Sequence, residues 1–340
     1  MISDAYSNSS IRGGGRSLIF KYIRKAPISR SDISKNAGIC KSSVTALTNQ
    51  MISQGVLTEI GAVDTGVGRR PVLLDIVAEY SYAIGVSIDK SCFVCVSDLK
   101  CNVINSTEVD ITIPSDTASQ KIIEKIEEIL SLSKISHKKC IGIGISISDD
   151  LQELGNKIKA ELKLYFKLPT RVDDPTSLLC SYQTSLYDST ALLISLGEDI
   201  SSAICTNGNI LGGGKIGHFS IDCNGLVCNC GSRGCLNCYI SDIALKNNGY
   251  SNSIDNVDTA KYIADKLCYA LISVTNLLSI KKIIICGKSE NNGEILIDRV
   301  KKSLQNKLDA QIELIWLELS KDTVRNSVCA SIINEYFAKQ

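Results

Sequence analysis

Three cysteines and one histidine are spaced as ligands for a metal ion. The segment GHFSIDCNGLVCNCGSRGC contains His218, Cys228, Cys230 and Cys235. One imidazole and three thiolates form a donor set that suits tetrahedral structural zinc. Two glycines between the last two cysteines allow the tight turns that bring these side chains to one ion. Four protein ligands leave no open coordination position, so we predict structural rather than catalytic zinc.

The remaining cysteines need a separate interpretation. The chain contains 15 cysteines, an odd number, and its first ten residues are polar and lack an apolar signal core. We therefore expect a cytoplasmic protein with reduced, mostly buried thiols, and Cys223 and Cys238 as packing residues near the metal site. A regulator that senses oxidation or zinc through these thiols remains an alternative.

A second set of residues suits DNA. Short hydroxyl and amine side chains at the start of a helix can contact base edges and phosphates, and arginines in a neighbouring loop can enter the minor groove. The residues that we assign to DNA are Lys41, Ser42, Ser43, Thr45, Thr48, Arg69 and Arg70.

The elements around these residues follow the order of a helix-turn-helix. A first amphipathic helix ends before a capping box, in which Ser29 and Asp32 open a short second helix. Gly38 fits the tight turn, and Ser42 or Ser43 is expected to cap the third helix. The third helix would be the one that reads the major groove.

Two short strands and a charge asymmetry complete this prediction. The segments Val56–Ile60 and Pro71–Ile76 flank a loop with three glycines and two arginines, which is the arrangement of a wing. Residues 1–75 carry a net charge of +5, whereas residues 76–340 carry −4. A basic N-terminal segment followed by a mildly acidic remainder indicates an anion-binding domain joined to a domain with a second function.

From about residue 80 the pattern changes to blocks of strands and helices, which predict two related α/β lobes. No apolar run approaches the roughly 18–20 residues of a membrane span. The predicted organisation is a disordered tail at residues 1–11, a winged helix-turn-helix at 12–78, a first lobe at 79–190 and a second lobe with the zinc motif at 191–340.

These motifs together resemble the ROK family of repressors, open reading frames and sugar kinases. The stretch from Gly217-His218 to Cys235 matches the family pattern G-H-x9-C-x-C-G-x2-G-C, and the wing segment LTEIGAVDTGVGRRPVLLDI is similar to the repressor branch. The resemblance implies an α/β fold in which a winged helix-turn-helix precedes a two-lobed, actin-like ATPase (ribonuclease H-like) domain. It also implies a dimer or tetramer that binds sugar between the lobes.

The glycine loops with which family kinases bind ATP have diverged in this chain. The family's D-x-G-G-T corresponds to Ser87-Ile88-Asp89-Lys90-Ser91, and its second phosphate loop corresponds to Gly197–Ala203 with Glu198 and Asp199 inside it. Acidic side chains repel a triphosphate, and the missing glycines remove the close backbone approach. We therefore expect no ATP binding and no enzyme activity.

The sugar site implied by the resemblance has diverged as well. Asp174 and Pro175 take the places of the family's Asn-Asp pair, unless the register shifts by one residue and Asp174 becomes the catalytic base. Lys215 and Asn237 replace two glutamates, and His218 is retained. The cleft either binds an altered ligand through Asp174, Lys215, His218 and Asn237, or it is vestigial.

The sequence is compatible with three functions. The preferred one is a sequence-specific DNA-binding regulator, a repressor of carbohydrate-related genes, that binds a palindromic operator as a homo-oligomer and responds to a sugar or sugar derivative. The alternatives are a sugar kinase of the glucokinase type, which the diverged loops disfavour, and the thiol- or zinc-responsive regulator. We expect no membrane partner.

Overall fold

The computed structural model describes residues 7–62, 71–89, 92–111, 117–184, 190–206, 209–250, 256–288, 293–304 and 312–339. The chain forms two compact units. Unit 1 combines Met1–Asp173 with Arg325–Gln340, and unit 2 is Asp174–Val324. Among the described helices, none is both long and apolar enough to cross a membrane.

The N-terminal part of unit 1 is a small helical domain with a three-stranded sheet of order β1-β3-β2. Its second helix begins as predicted, since the Ser29 hydroxyl accepts a hydrogen bond from the Asp32 amide at 3.2 Å, and Gly38 ends the helix at φ +65°. The prediction of a winged helix is confirmed. Its elements are α1 (Ser7–Lys25), β1 (Ile28–Ser29), α2 (Arg30–Ala37), α3 (Lys41–Ser53), β2 (Leu57–Ala62) and β3 (Val72–Ile76).

Helix α1 begins earlier than the sequence indicated. It starts at Ser7, so residues 7–11 are helical rather than part of the predicted tail, while residues 1–6 lie outside the described part of the chain. Gly13, Gly14 and Gly15 lie inside this helix. A Cβ atom on Gly15 would lie 2.9 Å from Cδ1 of Leu47 in α3, so the missing side chain allows the two helices to pack closely.

The body of unit 1 is a five-stranded sheet of order β6-β5-β4-β7-β8. Strand β4 pairs antiparallel with β5 and parallel with β7, and β7 pairs parallel with β8. A buried apolar core lies between one face of this sheet and the helices α4 and α5. The elements are β4 (Tyr82–Ile88), β5 (Cys92–Asp98), β6 (Val103–Val109), α4 (Ala118–Leu132), β7 (Cys140–Ile147), α5 (Gln152–Phe166) and β8 (Thr170–Asp173), joined by α11 (Lys321–Lys339).

Unit 2 repeats this plan with a five-stranded sheet of order β11-β10-β9-β12-β13. Strands β9, β10 and β11 are antiparallel neighbours, and β12 pairs parallel with β9 and β13. The prediction of two related α/β lobes is confirmed. The elements are α6 (Pro175–Thr184), β9 (Ala191–Ser195), β10 (Ser201–Thr206), β11 (Asn209–Gly214), α7 (Asn237–Ile240), α8 (Asp242–Asn247), α9 (Val257–Leu278), β12 (Lys282–Gly287), α10 (Gly293–Leu304) and β13 (Glu313–Glu318).

The lobe boundaries differ from those expected at residues 190 and 340. Helix α6 belongs to unit 2, and the part of α11 from Arg325 onward belongs to unit 1. Hydrophobic periodicity identifies each helix but not the sheet on which it packs, because that choice depends on contacts between residues far apart in the chain.

Three glycines let α11 lie directly on the sheet of unit 1. A Cβ atom on Gly144 would lie 2.5 Å from the carbonyl oxygen of Val328, and one on Gly142 would lie 2.9 Å from Cγ2 of Ile332. At Gly85 the Cβ would lie within 2.9 Å of the thiols of both Cys95 and Cys329. Any larger side chain at these positions therefore displaces α11 or the strands.

The other side of α11 contacts the winged helix. The rings of Phe20 in α1 and Phe337 in α11 stack with centroids 3.6 Å apart and planes 15° apart. Arg24 donates a hydrogen bond to Oδ1 of Asn334 at 2.9 Å. Through these contacts α11 joins the winged helix to the sheet of unit 1.

We expect Gly144→Ala to destabilise the protein, because the methyl group collides with the backbone of α11 and overpacking costs about 1–3 kcal/mol. A lower urea midpoint, followed by circular dichroism, is the measurement. Gly212→Ala is the matched control, since a Cβ atom on Gly212 meets nothing within 4 Å. Equal midpoints for the two variants would contradict this account of α11.

Candidate metal centre and nucleic-acid interface

The predicted metal ligands converge in unit 2. One ligand atom from each of His218, Cys228, Cys230 and Cys235 lies within 4.8 Å of the other three. The loop that carries them is held by its own backbone, because the Cys228 amide donates to the Ser232 carbonyl at 2.8 Å. Its two glycines have left-handed conformations, with φ +90° and +67°. The second of these also avoids a collision with a neighbouring backbone carbonyl.

Two ligand–ligand distances within the cluster match those of a tetrahedral metal site. With metal–sulfur bonds near 2.3 Å and metal–nitrogen bonds near 2.0–2.1 Å, two thiolates lie about 3.8 Å apart and a thiolate lies about 3.6 Å from the imidazole nitrogen. The Cys230 and Cys235 sulfurs are 3.6 Å apart, and Cys228 Sγ is 3.5 Å from Nδ1 of His218. The donor set and spacing therefore suit a metal ion of the zinc type.

The thiols of the cluster differ in protonation when no ion is bound. Burial, followed by contacts with Cys230 and Cys228, raises the pKa of the Cys235 thiol to about 12, whereas the backbone hydrogen bond from Ser232 lowers the pKa of Cys230 to about 6. A bound divalent cation favours the thiolate at Cys235 as well, because a coordinated thiol loses its proton. Cys223 is exposed, which corrects the expectation that it packs in the interior, and Cys238 is half-buried near the Val227 carbonyl.

The proposed DNA-reading helix α3 begins at Lys41, two or three residues earlier than a cap at Ser42 or Ser43 would place it. Cys40 occupies the N-cap position without a side-chain cap, so neither Ser42 nor Ser43 caps the helix. Their hydroxyls instead lie 3.4 and 3.0 Å from Cys40 Sγ. The contacts with Ser42 and then Ser43 lower the pKa of the exposed Cys40 thiol to about 7.

The residues predicted to contact DNA are not equally accessible. Lys41, Ser42 and Thr45 are exposed on α3 and Ser43 is half-buried. The prediction that Thr48 contacts DNA is wrong, because its side chain is fully buried in the domain. The remaining predicted contacts, Arg69 and Arg70 of the wing, lie outside the described residues.

Arg30 is a functional candidate that the sequence did not reveal. Its guanidinium donates to Oγ1 of Thr48 and Oδ1 of Asn49, both at 3.0 Å, and pairs with Glu59 at 2.8 Å. It thereby joins α2, α3 and β2 and orients the exposed Asn49 side chain. Sequence spacing carries no signal for this contact, since the partners lie 18 to 29 positions away.

The candidate ligand residues surround the start of β10 in unit 2. Asp174 caps α6, accepting a hydrogen bond from the Ser177 amide at 2.9 Å. The first turn of this helix contacts β10, where the hydroxyls of Thr176 and Ser201 are 2.7 Å apart. Lys215 is exposed, and its carbonyl accepts from the amide of His218 at 2.8 Å. Within the described chain, Lys215 and Asp174 form no ion pair with each other.

Asn237 closes the loop that precedes β10. Its Oδ1 accepts from the Ile200 amide at 2.8 Å, and its Nδ2 donates to Oδ1 of Asp199 at 3.1 Å. Both ends of the amide are therefore engaged within unit 2. A Cβ atom on Gly217 would lie 2.3 Å from Asn237 Oδ1, so this glycine is required for the amide to reach the loop.

Comparison with known proteins defines the class of this fold. The model of the ROK family matches residues 84–329, which is more than half of the chain. The protein belongs to the ROK family. This match includes the metal cluster and both sheets, and it begins after the winged helix.

Full-length relatives carry the N-terminal domain too. The chain is 24% identical to the xylose repressor of Bacillus spizizenii, with 94% of each protein aligned. A crystal structure of a ROK family transcriptional regulator, described as a homolog of the E. coli MLC protein, aligns with 97% of this chain and 98% of its own at a TM-score of 0.75 and 21% identity. The ROK hexokinase of Thermus thermophilus aligns with 73% of this chain and 96% of its own, with a TM-score of 0.61 and 13% identity.

We expect Cys235→Ser to remove the metal, because the remaining three ligands lose the thiolate at the buried end of the cluster. Metal content by plasma mass spectrometry should fall from one ion per chain to well below one. Cys223→Ser, which alters an exposed neighbouring thiol, should keep its metal. Equal metal content in both variants would show that the cluster is not the binding site.

Cys40 should be alkylated by iodoacetamide at neutral pH, since a thiol with a pKa of about 7 is half thiolate there. Its rate should rise with pH and reach half-maximum near pH 7, as read by mass spectrometry of the modified peptide. In the urea-unfolded chain the midpoint should move to about 8.5. The buried Cys92, whose pKa burial raises to about 12, should stay unmodified in the folded protein. Identical midpoints for folded and unfolded Cys40 would exclude the hydroxyl contacts as the cause.

Proposed function

We propose that this protein is a ROK-type transcriptional repressor of carbohydrate-related genes. Two copies, or a pair of dimers, place two α3 helices in successive major grooves of a palindromic operator. A structural zinc ion at the His218 cluster stiffens unit 2, and a sugar or sugar derivative acts as the effector.

This proposal rests on the residues at the start of α3. This helix of 13 residues has no acidic side chain in its first turn, and its first residue is Lys41. A lysine at that position opposes the helix dipole and is unfavourable for the isolated helix. With a phosphate group in front of the helix the lysine and the dipole act together, so the arrangement suits an anion such as DNA.

The domain content of the relatives supports a regulator over a kinase. The xylose repressor aligns with 94% of this chain, whereas the ROK hexokinase aligns with only 73% of it. The residues around β10 point in the same direction. The Asp199 and Asn237 side chains bind each other in the loop where the family's kinases bind phosphate, and Asp174 is engaged as a helix cap.

The effector proposal rests on the polar groups around the start of β10. The exposed Lys215 and the half-buried Asp174 offer both signs of charge to the hydroxyl groups of a sugar, and the exposed His218 can offer the ring nitrogen that is not bound to the metal as a hydrogen-bond partner. Because a xylose repressor is similar over the whole chain, D-xylose is the first sugar to test, followed by hexoses and N-acetyl sugars.

The proposal is tested by selecting a duplex from random DNA and measuring its affinity by fluorescence anisotropy. We expect Lys41→Ala to weaken binding and to make the slope of log affinity against log salt shallower by about 1. Lys35→Ala, an equally exposed lysine on α2, is the matched control and should bind as the wild type does.

Failure to select any duplex, or equal affinities of the two variants, would contradict the proposal. The same assay repeated with each sugar identifies the effector as the one that releases the DNA. Turnover of ATP with any of these sugars would favour the kinase alternative instead.

A further inference from the structure

Six exposed basic side chains lie together on the body of unit 1, outside the metal cluster and α3. Three of them lie at the ends of α4 and α5, and three lie in the loop before β7. We call this group the basic edge; it consists of Lys134, His137, Lys138, Lys139, Lys163 and Lys167.

The sheet topology brings the basic edge to one end of unit 1. Strands β4, β7 and β8 are parallel neighbours, so their first residues share one edge of the sheet. Helix α4 ends at Leu132 just before β7, and α5 ends at Phe166 just before β8. The two helix ends are in contact, because the Tyr165 hydroxyl donates to Oε1 of Glu127 at 3.0 Å.

The charge of this edge is unusual for the body. Residues 76–340 carry a net charge of −4, yet residues 129–148 and 162–172 contain no aspartate or glutamate. Within the described chain, none of the six basic side chains forms an ion pair. The basic edge is therefore a local positive field on an otherwise acidic body.

The basic edge borders the winged helix. Cys140, which follows the basic loop directly, pairs with Tyr82 at the start of β4. The chain reaches Tyr82 from β3 through a single short helical turn. At the same end, Lys100 pairs with Asp75 of β3 at 2.7 Å, and the Leu99 amide donates to the Ala78 carbonyl at 3.0 Å.

Helix capping explains only part of this arrangement. Lys134 and Lys167 have left-handed backbones just after α4 and α5, with φ of +56° and +54°. A cation at a helix C-terminus is favourable, so these two lysines have a structural role. His137, Lys138 and Lys139 end no α-helix, and their charge is not accounted for in this way.

We propose that the basic edge contacts the DNA backbone beside the base pairs that the winged helix reads. This inference rests on the proposed function, and it extends the DNA-binding surface from the winged helix to the sheet domain of unit 1. Lysines form such contacts with phosphates without regard to sequence, and each contact releases counterions from the DNA. The basic edge would therefore add affinity and salt dependence but no base preference.

The experiment compares two full-length variants in which the same amount of charge is removed. The edge variant combines Lys134→Gln, Lys138→Gln, Lys139→Gln and Lys167→Gln. The control variant replaces four exposed lysines of unit 2 by glutamine, namely Lys246, Lys281, Lys301 and Lys302. Probes are random-sequence duplexes of about 12 and 40 base pairs, the shorter being little more than one helical turn. Affinity is measured between about 50 and 200 mM NaCl, the range over which phosphate contacts weaken strongly.

For the longer duplex, the edge variant should bind more weakly, and its salt slope should be shallower by about 0.9 for each phosphate that the variant no longer neutralises. The shorter duplex should bind both variants alike, because it leaves little DNA beside the winged helix. Unchanged DNA binding by the edge variant, or an equal weakening in the control variant, would overturn the proposal. If the edge variant binds DNA as the wild type does, the basic edge would instead suit an acidic protein partner. Circular dichroism and urea midpoints verify that both variants fold.

Lys41→Ala in the same assay separates this inference from the proposed function. If Lys41→Ala binds both duplexes more weakly while the edge variant does not, the winged helix binds DNA, and only the assignment of the basic edge as a DNA contact is wrong. If neither the wild type nor the variants bind either duplex, the proposed DNA-binding function fails with it.

Discussion

The close approach of α11 to the glycines of β4 and β7 is the contact on which the arrangement of unit 1 depends. Because Gly85, Gly142 and Gly144 have no side chains, the helix backbone lies against the sheet itself. The opposite side of the helix then presents Phe337 to the winged helix. A thicker side chain in the sheet would shift this surface and with it the winged helix that packs on it.

Unit 2 depends on a different kind of constraint. Its metal ligands all come from one segment of fewer than twenty residues, and its loop before β10 is closed by a single amide, Asn237. Asn237 follows the last metal ligand, Cys235, by two positions. With an ion bound at the cluster, coordination of Cys235 would hold the segment that carries this amide, and the loop before β10 would be positioned by the metal as well as by apolar packing.

Features that depend on neighbours in sequence could be predicted. The convergence of His218, Cys228, Cys230 and Cys235 follows from spacing within one short segment, and the capping box at Ser29 and the left-handed Gly38 follow from spacing within a few residues. Contacts between distant segments could not, because periodicity does not show which surfaces meet. Thr48 illustrates the limit, since its position on a polar-looking helix gave no sign that Arg30 and the domain core enclose it. The two-lobed architecture was predictable from element order and family resemblance, whereas the assignment of α6 and α11 to their units was not.

The discontinuity of unit 1 has a consequence for biosynthesis. Its sheet is complete at Asp173, but the helix that covers one face follows only after Asp174–Val324 has been made. At roughly 5–20 residues per second, the ribosome needs about 8–30 s for that interval. During this time the glycine-bearing face of the sheet and the Phe20 side of α1 have no cover from their own chain. Nascent chains of this protein are therefore candidates for chaperone capture at that stage, and the winged helix acquires its final support later than any other part of unit 1.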